Sequence, residues 1–97
     1  MLIRIVRMTF QEDKVEAFLN NFHQTKHQIR NFEGCKHLEL LQDAENKNIF
    51  CTYSHWESEE FLNSYRDSLL FKEVWSFTKA LFADKPVAFS VFRVEVV

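Results

Sequence analysis

The 97-residue sequence has only one glycine and one proline. A single glycine excludes the glycine-rich loops that bind the phosphates of nucleotides and flavins. Disordered chains are rich in proline and glycine and poor in aromatic residues, whereas 15% of these residues are aromatic. The sequence therefore predicts a folded chain, and its length suits one domain spanning residues 1–97.

Cysteine is also scarce, with only Cys35 and Cys51 present. Each falls in a different predicted strand of one hairpin, and a turn centred near Asn46 pairs Cys35 with a residue near Trp56. The two thiols are then several residues out of register, too far apart for a disulfide. Free thiols suit a reducing compartment, so we expect a cytoplasmic protein.

Long apolar runs and an excess of charge of one sign are both missing. No uninterrupted stretch reaches the roughly 18 to 20 apolar residues of a membrane span, and Arg4 and Arg7 interrupt what would be the apolar segment of a signal peptide. The net charge is −2, with acidic and basic residues interspersed. Because nucleic-acid binding needs a basic face, we expect no nucleic acid as partner. Because no apolar run is long enough to span a membrane, we expect no membrane partner either.

Four segments rich in β-branched and aromatic residues predict strands. Their ranges are 2–10, 35–42, 48–56 and 87–97. A helix over about 13–32 lies after the first strand, and a second helical region lies before the last. The order β-α-β-β-α-β is the ferredoxin-like arrangement, an α+β fold with a four-stranded antiparallel sheet.

The predicted helices carry recognisable end signals. Asp13 and Glu16 have the spacing of a capping box, and Gly34 supplies a left-handed stop after the first helix. Ser58 and Ser68 are each expected to cap a helical segment in the second half of the chain.

Both faces of the predicted sheet are apolar. In the last strand Phe92 and Val94 alternate with Phe89 and Val91, so each face receives large side chains. Two helices cover only one face of such a sheet. We therefore expect the other face to be buried in a homodimer, against the same face of a second copy. The alternative is that a long strand simply tolerates exposed valines.

Three segments give the sequence a family resemblance. They are Phe32-Glu33-Gly34-Cys35 after the first helix, His55-Trp56-Glu57-Ser58-Glu59-Glu60-Phe61 before the second, and Ser68-Leu69-Leu70-Phe71-Lys72. With them the chain resembles the antibiotic biosynthesis monooxygenase (ABM) domain family over about residues 3–94. The resemblance implies a dimeric α+β barrel. It also implies cofactor-free oxygenation of a small aromatic or quinol-like substrate or, in one branch, oxidative degradation of haem.

The residues at the family's site positions disfavour haem. Alignment with the haem-degrading branch places Val6, Tyr65 and Trp75 where that branch has an asparagine, a tryptophan and the iron-binding histidine. Valine has no amide to donate a hydrogen bond, and indole has no lone pair for iron. Leu70 stands where other members have a histidine. We therefore expect no cofactor, and haem degradation is the third choice among the functions considered.

Cofactor-free oxygenation needs a group that stabilises a substrate anion, which then passes an electron to O₂. The catalytic candidates are Tyr65 and His37, since Glu39 shares a strand face with His37 and could orient it. The candidates for binding a flat aromatic substrate are Val6, Phe22, Tyr53, Tyr65 and Trp75. Ordinary packing is the alternative explanation for each of these residues.

The sequence argues against a metal site and leaves open whether the pocket supports turnover. His23 and His27 share a helix face but have no third ligand at usable spacing, so the sequence predicts no metal site. The alternative to an oxygenase is a dimeric module that binds a small apolar ligand in the same pocket without turnover.

Overall fold

The computed structural model describes residues 1–97 as a sheet with helices on one side. Its elements are β1 (Leu2–Thr9), α1 (Val15–Arg30), β2 (Cys35–Gln42), β3 (Ile49–Trp56), α2 (Glu59–Arg66), α3 (Leu69–Lys79) and β4 (Val87–Phe92). All strand pairs are antiparallel, in the order β2-β3-β1-β4. The predicted α+β ferredoxin-like order is confirmed, with the second helical region divided into α2 and α3.

Serine side chains begin two of the helices, as predicted. Ser58 Oγ accepts a hydrogen bond from the backbone N–H of Phe61 at the start of α2, and Ser68 Oγ accepts one from Phe71 at the start of α3. Each bond satisfies a backbone donor that has no partner inside the helix.

The predicted capping box of α1 is wrong. Asp13 lies inside a 3₁₀ turn, Glu12–Lys14, and α1 begins without a side-chain cap. The backbone N–H of Lys14 already donates to the carbonyl of Gln11 at 2.9 Å, so the turn itself leads the chain into the helix.

The last strand is shorter than predicted. It ends at Phe92 rather than Val97, because Phe92 pairs with Leu2, the first residue of the neighbouring strand β1. The residues after Phe92 have no further partner in the sheet. Arg93–Val96 instead line a hollow together with Ile3 and His55.

Gly34 lies in the connection between α1 and β2 and allows the chain to turn there. The helix ends at Arg30, two residues before the predicted end. Gly34 follows with φ of +89°, and a Cβ there would lie 2.3 Å from Cβ of Phe61. The left-handed backbone and the close approach of α2 both require glycine.

The apolar core under the helices forms two separate clusters. One, the Trp56 cluster, contains Leu2, Ile29, Cys35, Trp56, Leu62 and Tyr65. The other, the Phe10 cluster, contains Met8, Phe10, Phe18, Phe50 and Leu81. Since Leu2 and Met8 lie near opposite ends of β1, the two clusters lie at opposite ends of the sheet.

The second face of the sheet carries no helix, and we call it the open face. It presents the alternate side chains of each strand, including Ile5 of β1, Tyr53 of β3, and Phe89 and Val91 of β4. Phe89 and Val91 are 44% and 39% exposed.

Both cysteines are free, and Cys35 pairs with Trp56, so the predicted register of the hairpin is confirmed.

None of the three helices combines the length and the apolar composition needed to cross a membrane.

Candidate functional site

A cavity of about 250 Å³ lies between the sheet and the helices, in the space that separates the two core clusters. Part of its floor is a row of small side chains across the sheet. Val6 pairs with Thr52 on one side and with Ala88 on the other. These three side chains are short, so a cavity remains above them, whereas larger side chains fill the space above other rows of the sheet.

A neighbouring row of the floor is polar. Arg4 lies between Ser54 on β3 and Ser90 on β4, and its Nη1 donates to Ser90 Oγ at 3.2 Å. Ser54 Oγ is held from the other side, where it accepts a hydrogen bond from Trp56 Nε1 at 3.0 Å. Arg4 thus enters the cavity from a strand whose neighbouring side chains on that face are apolar.

The helices supply the walls. Phe22 comes from α1, Tyr65 and Arg66 from α2, and Trp75 and Thr78 from α3. The indole of Trp75 is held by its neighbours: it stacks on Phe71 with centroids 5.8 Å apart and 11° between the planes. These walls are mostly apolar and suit a flat ring.

Tyr65 belongs to both the core and the cavity. Its ring is surrounded by Trp56, Phe32 and Phe71, with centroids 5.0 to 5.3 Å away. Its hydroxyl makes no hydrogen bond within the chain. Burial, and to a smaller extent the nearby Cys35, raises the pKa of Tyr65 above its ordinary value of 10.0. At neutral pH the phenol keeps its proton, so it can donate a hydrogen bond but cannot act as a base.

The charged side chains that line the cavity are both arginines. No His, Asp or Glu lines it. Burial, together with the charge of Arg66, lowers the pKa of Arg4. An arginine still keeps its charge at neutral pH, so the cavity carries two positive charges and no group able to remove a proton.

The structure brings together four of the five residues expected to bind substrate. Val6, Phe22, Tyr65 and Trp75 line the cavity. Tyr53 does not, because its strand position faces the open side of the sheet. Its ring lies against His55 there, with centroids 5.1 Å apart.

His37, the second catalytic candidate, is also on the open face. It forms the expected pair with Glu39, with 2.5 Å between Nε2 and Oε2. The sheet separates this pair from the cavity. Arg4 and Arg66 were not among the candidates, although alternation along β1 places Arg4 on the same face as Leu2, Val6 and Met8.

Neither a metal nor a haem finds ligands here. His23 and His27 are exposed on α1, and no group of three His, Cys, Asp or Glu side chains comes together. Val6, Tyr65 and Trp75, the positions aligned with the haem-degrading branch, do line the cavity. Since Trp75 has no lone pair for iron and no histidine lines the cavity, these residues do not fit haem.

The fold and the cavity define the class of protein: a ferredoxin-like α+β domain with a ligand-sized pocket between its sheet and its helices. A sequence profile of the antibiotic biosynthesis monooxygenase family matches residues 1–75. The chain therefore belongs to this family.

Solved structures show the same fold. An antibiotic biosynthesis monooxygenase superposes with a TM-score of 0.91 at 15% identity, covering 98% of this chain and 100% of the other. A conserved protein from Methanosarcina mazei Go1 has a TM-score of 0.87 at 23% identity, covering 94% and 91%. Rv0793 from Mycobacterium tuberculosis has 0.88 at 15% identity, covering 98% and 96%. No curated protein sequence matches significantly.

Proposed function

We propose that the chain is an oxygenase of the ABM type that oxidises a small flat aromatic or quinol-like substrate without a cofactor. The observation that carries the proposal is the cavity between the two core clusters, which combines apolar aromatic walls with a few polar groups. A phenol donor and two guanidinium groups face a space of about 250 Å³. This arrangement suits a flat ring with an oxygen substituent that becomes negative during reaction.

O₂ is the co-substrate of the proposed reaction. A phenolic substrate loses its proton to water, and the phenolate passes one electron to O₂. The resulting radical and superoxide combine at a ring carbon, and the peroxide regains a proton. Loss of water then leaves a quinone. One oxygen atom forms the new carbonyl, the other leaves as water, and all four electrons come from the substrate.

The cavity's residues act on the charge of the substrate. Arg4 and Arg66 stabilise the phenolate, which lowers the cost of losing its proton to water. The Tyr65 hydroxyl donates to the same oxygen or to the peroxide. Trp75 and Phe22 hold the ring and exclude water.

The second candidate function is a binding module without turnover. The specific observation in its favour is that no carboxylate or imidazole lines the cavity. A substrate that is not already acidic would therefore find no base to ionise it.

Oxygen uptake tests the proposed function. The purified protein is incubated with naphthoquinols and polyphenols while dissolved O₂ is recorded, and the quinone formed is quantified by chromatography. We expect enzyme-dependent uptake of one O₂ per quinone from at least one phenolic member. Absence of uptake across the panel, together with saturable thermal stabilisation by the same compounds, would favour the binding module.

We also propose a homodimer through the open face. Ile5, Phe89 and Val91 present an apolar surface there, and Phe89 and Val91 are substantially exposed in the single chain. Sedimentation equilibrium should show a dimer, and Val91→Glu should shift it to a monomer because an unpaired carboxylate would be buried. Leu69→Glu, a change at an exposed residue of α3, is the control and should leave the dimer intact.

A further inference from the structure

Arg4 and Arg66 have no acidic partner. The two ion pairs of the chain are Lys36 with Glu57 and His37 with Glu39. The only side-chain bond of Arg4 is to the neutral hydroxyl of Ser90, and Arg66 makes none. Two like charges therefore face the same cavity without a carboxylate to neutralise them.

Holding these charges together is costly. Arg4 is partly buried, and Arg66 repels it, as the lowered pKa of Arg4 reflects. By contrast, Arg30 uses its guanidinium structurally, because its Nη1 donates to the carbonyl of Cys35 at 2.9 Å. A second positive charge near Arg4 gives no such benefit to the fold, and a bound anion would relieve the repulsion.

The surroundings of the arginines define the shape of that anion. The floor beside Arg4 is the row of small side chains, Val6, Thr52 and Ala88, and the walls are aromatic. A ligand that satisfies both parts has a flat apolar body and one ionised oxygen group. Because Arg66 and Ala88 are exposed while lining the cavity, the charged end can enter from solvent on their side.

We propose that Arg4 and Arg66 form an anion subsite that selects flat aromatic ligands carrying a carboxylate or a phenolate. The inference rests on the proposed function for the location of the substrate, and it narrows the substrate class to aromatic anions. Charge-assisted bonds from guanidinium to an ionised oxygen are about twice as strong as neutral ones, so they dominate selection.

Binding of 2-naphthoate and of its neutral analogue 2-naphthamide, measured by calorimetry, tests the subsite. We expect the wild-type protein to bind the carboxylate about ten-fold or more tightly than the amide. Arg4→Gln and Arg66→Gln should each reduce that ratio about ten-fold, without weakening the amide. Lys72→Gln removes the same charge from an exposed position of α3 outside the cavity and should leave the ratio unchanged.

A second arm distinguishes phenolate from carboxylate. The ionised form of 4-nitrophenol is yellow, so its ionised fraction can be followed by absorbance near its own pKa. A subsite that accepts phenolates increases this fraction when the protein is added, and Arg66→Gln abolishes the increase. A subsite that accepts carboxylates alone shows only the preference for naphthoate.

Two results together overturn the inference. One is that naphthoate fails to bind or binds no better than naphthamide, and the other is that 4-nitrophenol shows no increase in ionisation. The inference is also overturned if the arginine variants leave both signals unchanged. Arg66 is exposed, so Arg66→Gln should fold even if Arg4→Gln does not. Anion preference without oxygen uptake would refute the oxygenase but keep the subsite. Oxygen uptake with neutral quinols and no anion preference would keep the oxygenase but refute the subsite.

Discussion

The ring of Tyr65 stacks on the indole of Trp56, with centroids 5.0 Å apart and 25° between the ring planes. This contact fixes the ring inside the Trp56 cluster, while the hydroxyl makes no hydrogen bond within the chain. The ring of Tyr65 therefore stabilises the fold, whereas its hydroxyl is free to contact a ligand.

Replacing Tyr65 with phenylalanine should separate these two contributions. Tyr65→Phe keeps the stack, so we expect the free energy of unfolding to change by less than about 1 kcal/mol. Oxygen uptake should fall at least about ten-fold, because a donor to the developing anion is lost. Tyr53→Phe, the same change on the open face, is the control for both measurements. Equal uptake by the two variants would contradict a role for the Tyr65 hydroxyl.

Phe10 should be among the most costly residues to truncate. It is fully buried, and the centroid of its ring lies 4.1 Å from the centroid of the Phe18 ring. Phe10→Ala should lower the free energy of unfolding by about 3 to 5 kcal/mol, measured by urea denaturation. Phe77 is 45% exposed, and Phe77→Ala should cost less than about 1 kcal/mol. Similar losses in the two variants would show that Phe77 is covered by something other than this chain.

Gly34→Ala should destabilise the protein although it adds only a methyl group. The new Cβ would overlap Cβ of Phe61, and the backbone there has a positive φ. We expect a loss of at least about 2 kcal/mol in urea denaturation. Glu33→Ala, at the exposed neighbouring position, should change stability by less than about 0.5 kcal/mol. Since the clash involves Cβ of residue 61, adding Phe61→Ala should not restore stability; a full recovery would contradict this explanation.

His55 should make stability depend on pH. Its Nε2 is buried without a hydrogen-bond partner. Burial, with smaller contributions from the charges of His37, Arg93 and the N-terminus, lowers the pKa of His55 below its ordinary value of 6.5, and Glu39 opposes this only in part. Well above pH 6.5 the imidazole is neutral in both the folded and the unfolded chain. As the pH falls below 6.5, the unfolded chain binds the proton first, so the free energy of unfolding decreases.

Urea denaturation between pH 8 and pH 5 measures this effect. His55→Gln should lose less stability over that interval than the wild-type protein does. His23→Gln, at an exposed position of α1, should follow the wild-type curve. Identical slopes for His55→Gln and the wild-type protein would assign the pH dependence to other groups.

Much of the fold could be predicted because its signals are local. Ser58 and Ser68 stand directly before helices, and alternating apolar residues mark each strand. The register of the hairpin follows from its turn, which is why a partner of Cys35 near Trp56 was predictable; a register shift between Cys35 and His37 makes that partner Trp56 itself. The cap of α1 was not, because Asp13 and Glu16 fit a capping box equally well whether the chain enters through a cap or through a 3₁₀ turn.

The site was only partly predictable. Helical spacing and alternation place Val6, Phe22, Tyr65 and Trp75 toward the interior, and they do line the cavity. Tyr53 lies outside the cavity, on the open face. Because both sheet faces are apolar, composition does not reveal which one the helices cover. In the sequence Arg4 is only a charge that interrupts an apolar segment. Its position near Arg66 depends on how α2 packs on the sheet, which the sequence does not show.

The gap between the Trp56 and Phe10 clusters has a consequence for how the shape of the cavity can change. Thr52 and Ala88 line that gap but belong to neither cluster. Larger or smaller side chains at these two positions would reshape the floor while both clusters kept their contacts. The molecule therefore separates the residues that set its stability from those that set the shape of its cavity, so the second set can vary with little cost to the first.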